Sequence, residues 1–189
     1  PGRHNLANTL AALGLLIEMG FDPQILSEGL ASFAGVKRRQ EVIGCPGGIL
    51  VVDDFAHHPT AVNETLAALK EFYPGRRLVA VFEPRTNTSR RSFFQADYPR
   101  VFGAADLALI RQASRLADIP PGERFSSKKL VADLKARGQA AFFFEKTEPI
   151  LDFLAQEARP GDLVAILSNG GFDGLQRRLL KALGQKYET

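Results

Sequence analysis

Ile49-Leu50-Val51-Val52-Asp53-Asp54-Phe55-Ala56-His57-His58-Pro59-Thr60 runs from unbroken apolar residues into two acids, two histidines and a proline. The apolar run predicts a buried strand, and the proline predicts a helix that starts directly after it. Pro59 suits the first helical position, where a missing N–H costs nothing. Charged groups at the carboxyl end of a strand stand where open α/β sheets bind ligands. Helix capping by Asp54 or His58 accounts for one polar residue of this run. It leaves the others unexplained, and two of the chain's three histidines fall here.

Working outward, Gln40–Ile43 and Ile49–Val52 read as two strands joined by the Cys45-Pro46-Gly47-Gly48 turn. Downstream, apolar runs alternate with helical spacing. Strands are expected at Leu78–Phe82, Leu107–Ile110, Ala140–Phe144 and Leu163–Leu167, and helices at Thr60–Phe72, Lys128–Ala136, Glu148–Ala158 and Asp173–Leu183. Repeated β–α alternation with unbroken apolar strands predicts an α/β fold. The expected form is a doubly wound, mostly parallel, Rossmann-like sheet with helices on both faces. Upstream, Leu6–Ile17 and a second segment after Asp22-Pro23, reaching about Phe33, read as two helices apolar on most faces. Such a pair has little core of its own and is expected to bury against something else. The expected division is a helical tail at 1–36 and an α/β domain at 37–189.

Composition narrows the functional classes. The chain has 189 residues, 45% hydrophobic and 24% charged, an ordinary globular composition. No apolar stretch is long enough to span a bilayer, so no membrane partner is expected. The single Cys45 excludes an internal disulfide framework and points to a reducing, cytoplasmic setting. The net charge is +3, but the arginines do not line one helix with aromatics between them, so nucleic acid is not expected. They cluster in loops, as Lys37-Arg38-Arg39, Arg85 and Arg90-Arg91, which suits the carboxylates or phosphates of a small ligand. Arg76-Arg77, Lys128-Lys129 and Arg177-Arg178 read as solvated surface.

The segments after the strands carry the candidate chemistry: Asp53–Thr60, Glu83–Arg91, Arg111–Arg115 and Ser168–Gly174. On a parallel sheet all four share one edge, where loops on a rigid scaffold form sites. The glycines at 170, 171 and 174 do not follow G-x-G-x-x-G and also suit a tight turn. Adjacent His57 and His58 point apart, with no third ligand at zinc spacing, so no metal site is expected. There is no G-x-S-x-G turn for a hydrolase and no G-x-x-x-x-G-K-[ST] phosphate loop.

Gly2-Arg3-His4-Asn5, with Asn8 and Ala11-Ala12, resembles the G-x-H-N-x-x-N-x-x-A-A segment that closes the central ATPase domain of the Mur ligases. Gly35-Val36-Lys37-Arg38-Arg39 resembles their linker, and Asp53–Pro59 their D-D-[YF]-[GA]-H-H-P motif. Phe82–Thr88 and Ser168–Phe172 are similar to the branch that joins L-alanyl-γ-D-glutamyl-meso-diaminopimelate to UDP-N-acetylmuramate in peptidoglycan recycling. The L-alanine-adding branch usually reads F-Q-P-H-R-[YF] and ends its last strand in a G-A-G-type turn. It remains an alternative, as does a non-catalytic module that senses a peptide or nucleotide.

The resemblance implies an ATP- and Mg²⁺-dependent ligase that passes through an acyl phosphate. His4, Asn5, Asn8, Arg39 and Asp54 fall at cofactor-binding positions, Arg39 towards the phosphates and Asp54 towards the ribose. His57 and His58 fall at catalytic positions facing the reacting centre. Arg85, Thr86, Asn87, Arg90, Ser168 and Asn169 fall where the family binds the incoming amine. Concentrated negative charge on an acyl phosphate calls for cationic side chains, and a peptide with several carboxylates calls for arginine forks. The resemblance further implies packing against N-terminal and central domains. Alone, these residues are expected to be inert and to bind ATP weakly if at all.

Overall fold

Five-residue apolar runs buried on both faces make the centre of the molecule a sheet that helices must cover twice. The computed structural model describes residues 2–187. Pro1, Glu188 and Thr189, at the outer ends of the two expected segments, lie outside the described residues. In chain order the elements are α1 (Arg3–Glu18), α2 (Pro23–Ser32), β1 (Glu41–Gly44), β2 (Leu50–Asp54), α3 (Pro59–Phe72), β3 (Leu78–Phe82) and α4 (Tyr98–Val101). They continue with β4 (Leu107–Arg111), α5 (Ser127–Ala136), β5 (Ala140–Phe144), α6 (Thr147–Glu157), β6 (Leu163–Leu167) and α7 (Leu175–Tyr187).

The strands order as β1-β2-β6-β3-β4-β5, with β1 antiparallel and the rest parallel. Strand alternation sorts the core into two layers. Val52, Ala80, Phe82 and Ala165 pack with Val62, Leu66 and Leu69 of α3 and Leu130 and Leu134 of α5. Val51, Val79, Val81 and Ile166 pack with Ile150 and Leu154 of α6 and Leu175, Leu179 and Leu183 of α7. Each fully buried leucine among these contributes about 1.5–3 kcal/mol. The chain leaves β2 and β3 for one face but leaves β6, which lies between them, for the other. Adjacent loops therefore diverge around the carboxyl end of β6, which opens a crevice there.

The strand and helix expectations hold within a few residues, with informative departures. β2 runs through Asp53 and Asp54, which pair with Ile166 and Leu167 of β6 instead of starting a loop. Alternation sends their side chains to opposite faces, and each finds polar partners there. α7 starts at Leu175, because Phe172 and Asp173 adopt left-handed φ values of 45° and 49° that no helix continues. Residues 92–101, unassigned from sequence, form a 3₁₀ turn at Ser92–Phe94 and α4. Arg76 and Arg77 are not solvated surface. Arg77 pairs with buried Asp162 at 2.6 Å, and Arg76 donates to the carbonyls of Gly48 and Asp162.

No side chain of α1 or α2 is buried, and Leu6, Leu10, Leu15, Ile25 and Phe33 stand exposed. α1 meets the sheet domain at its start: a Cβ on Gly2 would lie 2.6 Å from Ala68 Cβ, and His4 Nδ1 lies 3.8 Å from Glu64 Oε2. Among the described residues no helix is long and apolar enough to cross a membrane.

Candidate functional site

Parallel register brings the ends of β2, β6 and β3 side by side. Ser168 N–H donates to the Asp54 carbonyl at 3.1 Å, and Glu83 N–H to the Leu167 carbonyl at 3.1 Å. The hub of this rim is Glu83, which is fully buried. Its Oε2 accepts the Ser168 hydroxyl at 2.6 Å, and its Oε1 accepts from Arg111 Nη1. Arg85 Nη1 stands 3.7 Å from the same Oε1. Arg111 reaches on to Asp173 Oδ2 at 2.6 Å, which also accepts the Thr147 hydroxyl, and lies over the Phe172 ring. Asp54, Arg85 and Ser168 thus share one edge.

The polar loop after β3 divides into structural and accessible parts. Arg90 points inward: its side chain is 11% exposed, bonded to the Thr86 and Arg115 carbonyls and to Asn87 Oδ1, with Asp118 at 3.9 Å. Thr86 and Ser89 bond each other through hydroxyl and backbone, closing the turn. Arg85 is the cation the loop leaves open, 43% exposed. The buried oxygen Asn169 Oδ1 and nitrogen Arg111 Nε have no partner beside it.

Alternation splits the acidic pair. Asp53, on the α7 face, binds Arg38 Nε at 3.1 Å and Gln176 Nε2 at 3.0 Å. Asp54, on the α3 face, accepts the N–H groups of Gln40 and Ala56 at 2.7 Å each. Burial raises the Asp54 pKa, while those two N–H groups and the Arg39 charge pull it back. A raised carboxyl pKa means the fold binds the proton more tightly than the unfolded chain. That contribution is full below the ordinary value of 3.8 and is lost as pH rises through the folded pKa. Urea titrations should therefore show wild type losing stability relative to Asp54→Asn as pH rises above 3.8. An opposite slope would contradict this sign.

The guanidinium groups of Arg38 and Arg39 each lie 5.4 Å from the Phe55 ring centroid, and Arg39 is exposed. Gln40 Nε2 lies 3.5 Å from His4 Nε2, which ties the start of α1 to the Asp54 turn. Buried Gln40 Oε1 and His4 Nδ1 lack hydrogen-bond partners there, the Glu64 carboxylate being too distant from His4. Asn5 and Asn8 sit one turn along α1 on its exposed side. The buried, partnerless atoms of His4 and Gln40, the latter next to Arg39 in the chain, suit the nucleoside end of a nucleotide. Asp54 fits less simply, since both its oxygens already serve the backbone. Among the described residues there is no group of three or more His, Cys, Asp or Glu that could hold a metal ion.

His57 Nδ1 lies 2.9 Å from the Phe55 carbonyl, so that nitrogen carries the hydrogen and Nε2 is left as acceptor. His58 caps α3 by accepting the Thr60 N–H at 3.4 Å, and its ring packs edge-on against Phe94. The cap is therefore real, and the two rings diverge. The His57 carbonyl accepts the Tyr98 hydroxyl at 2.5 Å, and burial raises the pKa of that hydroxyl. Tyr98→Phe should cost about 1 kcal/mol in denaturant unfolding with the fold intact. A neutral result would show that this bond holds nothing.

Sequence reasoning placed Glu83, Arg111, Arg38 and Asp173 within its candidate segments but gave none of them a role of its own. Two of them had a signal: Glu83 and Arg111 each end or follow an apolar strand, where an isolated charge requires a partner. Which partner it finds depends on the strand order.

A doubly wound sheet whose switch-point loops hold an open arginine over a buried ion-pair base defines the class: an α/β domain with its candidate site at the carboxyl edge. Residues 38–170 match the model of the Mur ligase, glutamate ligase domain, and the chain belongs to that family. It is 35% identical over 190 residues to the UDP-N-acetylmuramate–L-alanyl-γ-D-glutamyl-meso-2,6-diaminoheptandioate ligase of Escherichia coli, covering 100% of this chain and 39% of that protein. It is 34% identical over 186 residues to a UDP-N-acetylmuramate–L-alanine ligase of Desulforamulus reducens, covering 98% of this chain and 40% of that one. A crystal structure of a murein peptide ligase from Psychrobacter arcticus superposes with TM-score 0.74 at 34% identity, over 97% of this chain and 38% of that chain. The chain thus spans about 39% of the length of such relatives.

Proposed function

We propose that this chain is the acceptor-binding part of an ATP-dependent ligase that joins L-alanyl-γ-D-glutamyl-meso-diaminopimelate to UDP-N-acetylmuramate in the cytoplasm, for peptidoglycan recycling. One observation carries the reading. Arg85 projects from the rim as an accessible fork, held by a base of Glu83, Arg111 and Ser168. A peptide acceptor brings carboxylates remote from its reacting amine, and a planar guanidinium binds such a group through two parallel bonds. The relative from Escherichia coli bears the name of a ligase for this tripeptide.

In this reading residues 1–36 belong to the central ATPase unit, and 37–189 form the acceptor domain that closes against it. ATP supplies the phosphoryl group that makes a carboxylate electrophilic, with Mg²⁺ bound elsewhere in the full-length enzyme. Arg39, His4, Asn5, Asn8 and the Asp54 turn serve the nucleotide side. His57, through its Nε2, faces the reacting centre and can steady negative charge or take a proton from the amine, and His58 fixes the start of α3 beside it. Arg85, Thr86, Asn87 and Asn169 face the acceptor, while Ser168, buried against Glu83 and so not itself open to a ligand, and Arg90 hold their loops. These residues lack a phosphate loop, so the isolated chain should show no ATP turnover.

The L-alanine-adding reading has support of its own, because a relative of that name is 34% identical. Full-length protein assayed with ATP, Mg²⁺ and UDP-N-acetylmuramate against each acceptor decides between them. The tripeptide should exceed L-alanine in kcat/KM by about 100-fold or more, the usual loss when a site's charged groups go unpaired. Preference for free L-alanine would overturn the peptide reading and support the other.

A further inference from the structure

The linker and the loop after β6 are joined by one side chain that neither half of the site accounts for. Arg38 sits in the left-handed region at φ 58°, which a non-glycine residue occupies only when its surroundings hold it there. Its N–H donates to Glu41 Oε2 at 2.7 Å, and its carbonyl accepts the Phe55 N–H at 2.8 Å. The guanidinium is thereby turned inward. Its Nε binds Asp53 at 3.1 Å, and its Nη2 donates to the carbonyls of Ser168 at 2.5 Å and Gly170 at 2.8 Å.

Both ends of this clamp touch residues assigned to the site. On one side, Arg39 is the next residue, and both arginines lie 5.4 Å from the Phe55 ring centroid. On the other, Gly170 is where the Arg85 side chain rests: a Cβ built there would lie 2.3 Å from Arg85 Cδ. A single side chain therefore spans from the nucleotide-side cation to the bed of the acceptor-side cation, bridging 130 residues of sequence. The three bonds come from two nitrogens of one planar group, a spacing that the single nitrogen of an ammonium does not reproduce.

Resting on the ligase reading above, we propose that Arg38 is a positioning residue that locks the 168–171 loop to the linker carrying Arg39. ATP and acceptor sites are then set together. A purely structural ion pair would lower stability when removed but leave the two substrates independent of each other. Coupling through a shared element changes both affinities at once.

The test uses the full-length enzyme with Arg38→Lys, Arg38→Ala and Asp53→Asn, read by KM for ATP, KM for the acceptor, kcat and hydrogen exchange at residues 168–171. Arg38→Lys should raise both KM values at least about fivefold and speed exchange in the loop. Arg39→Ala should raise the ATP KM alone. If Arg38→Ala fails to fold, the lysine and Asp53→Asn variants carry the same comparison. Faster exchange or lower melting temperature with both KM values unchanged overturns the proposal. So does a rise in only one KM. A wild-type enzyme that ligates neither acceptor refutes the functional reading and the Arg38 role with it, whereas an active enzyme indifferent to Arg38 refutes the positioning role alone.

Discussion

Replacing Glu83 with alanine is expected to lower unfolding stability by about 3–5 kcal/mol, the cost of stranding the partner of a buried ion pair. Glu83 is fully buried at the end of β3, and Arg111, 16% exposed at its side chain, loses its innermost partner when the carboxylate goes. The Ser168 hydroxyl, also buried, loses its acceptor in the same step. For a chain of this size the melting temperature should fall by roughly 6–20 °C. Glu83→Gln separates charge from shape. It keeps an oxygen for Ser168 but sets an amide against Arg111, so it should cost nearly as much as alanine. If Ser168 alone mattered, glutamine would be close to neutral. Calorimetry placing both variants within about 1 kcal/mol of wild type would remove the ion pair as the basis of the rim.

Replacing Arg85 with alanine in the full-length enzyme should raise the acceptor KM by about 10–100-fold and leave the ATP KM within about twofold. The asymmetry follows from its place. Arg85 stands 43% exposed against Gly170, with buried Glu83 3.7 Å away. Stability should change little, because a pair at 3.7 Å with an exposed member contributes little. Gly170→Ala offers an independent check, since the added methyl would press on the Arg85 side chain and displace it. It should reproduce part of the KM increase, and the double variant should be no worse than Arg85→Ala alone. Equal rises in both KM values would place Arg85 outside the acceptor pocket.

Much of the fold was legible because its signals are local. The runs Leu78–Phe82, Ala140–Phe144 and Leu163–Leu167 coincide with β3, β5 and β6 end to end. Each is flanked by turn residues, so little besides a strand suits it. Pro59 after His58 marked the start of α3, and His58 does cap it. The grouping of Asp54, Arg85 and Ser168 also followed, since parallel strands must end at a common edge. Less was legible where a side chain's role depends on a distant partner. Arg90 looked like a ligand fork but turns inward, because the Arg115 carbonyl and Asn87 lie within its reach. Glu83 looked like one polar loop residue among many, although it is the buried centre of the site.

The sequence by itself determined the α/β alternation, the family motifs and the edge at which the polar segments collect, since these rest on periodicity and on which residue types start and stop elements. Only the tertiary structure decided that β6 inserts between β2 and β3. That insertion places Ser168 against Glu83, brings Arg38 within reach of Gly170, and leaves Arg85 as the open cation. Strand order is a packing outcome set by pairs of elements far apart in sequence. Electrostatic partnership follows it, because charges pair by distance in space and not by spacing along the chain.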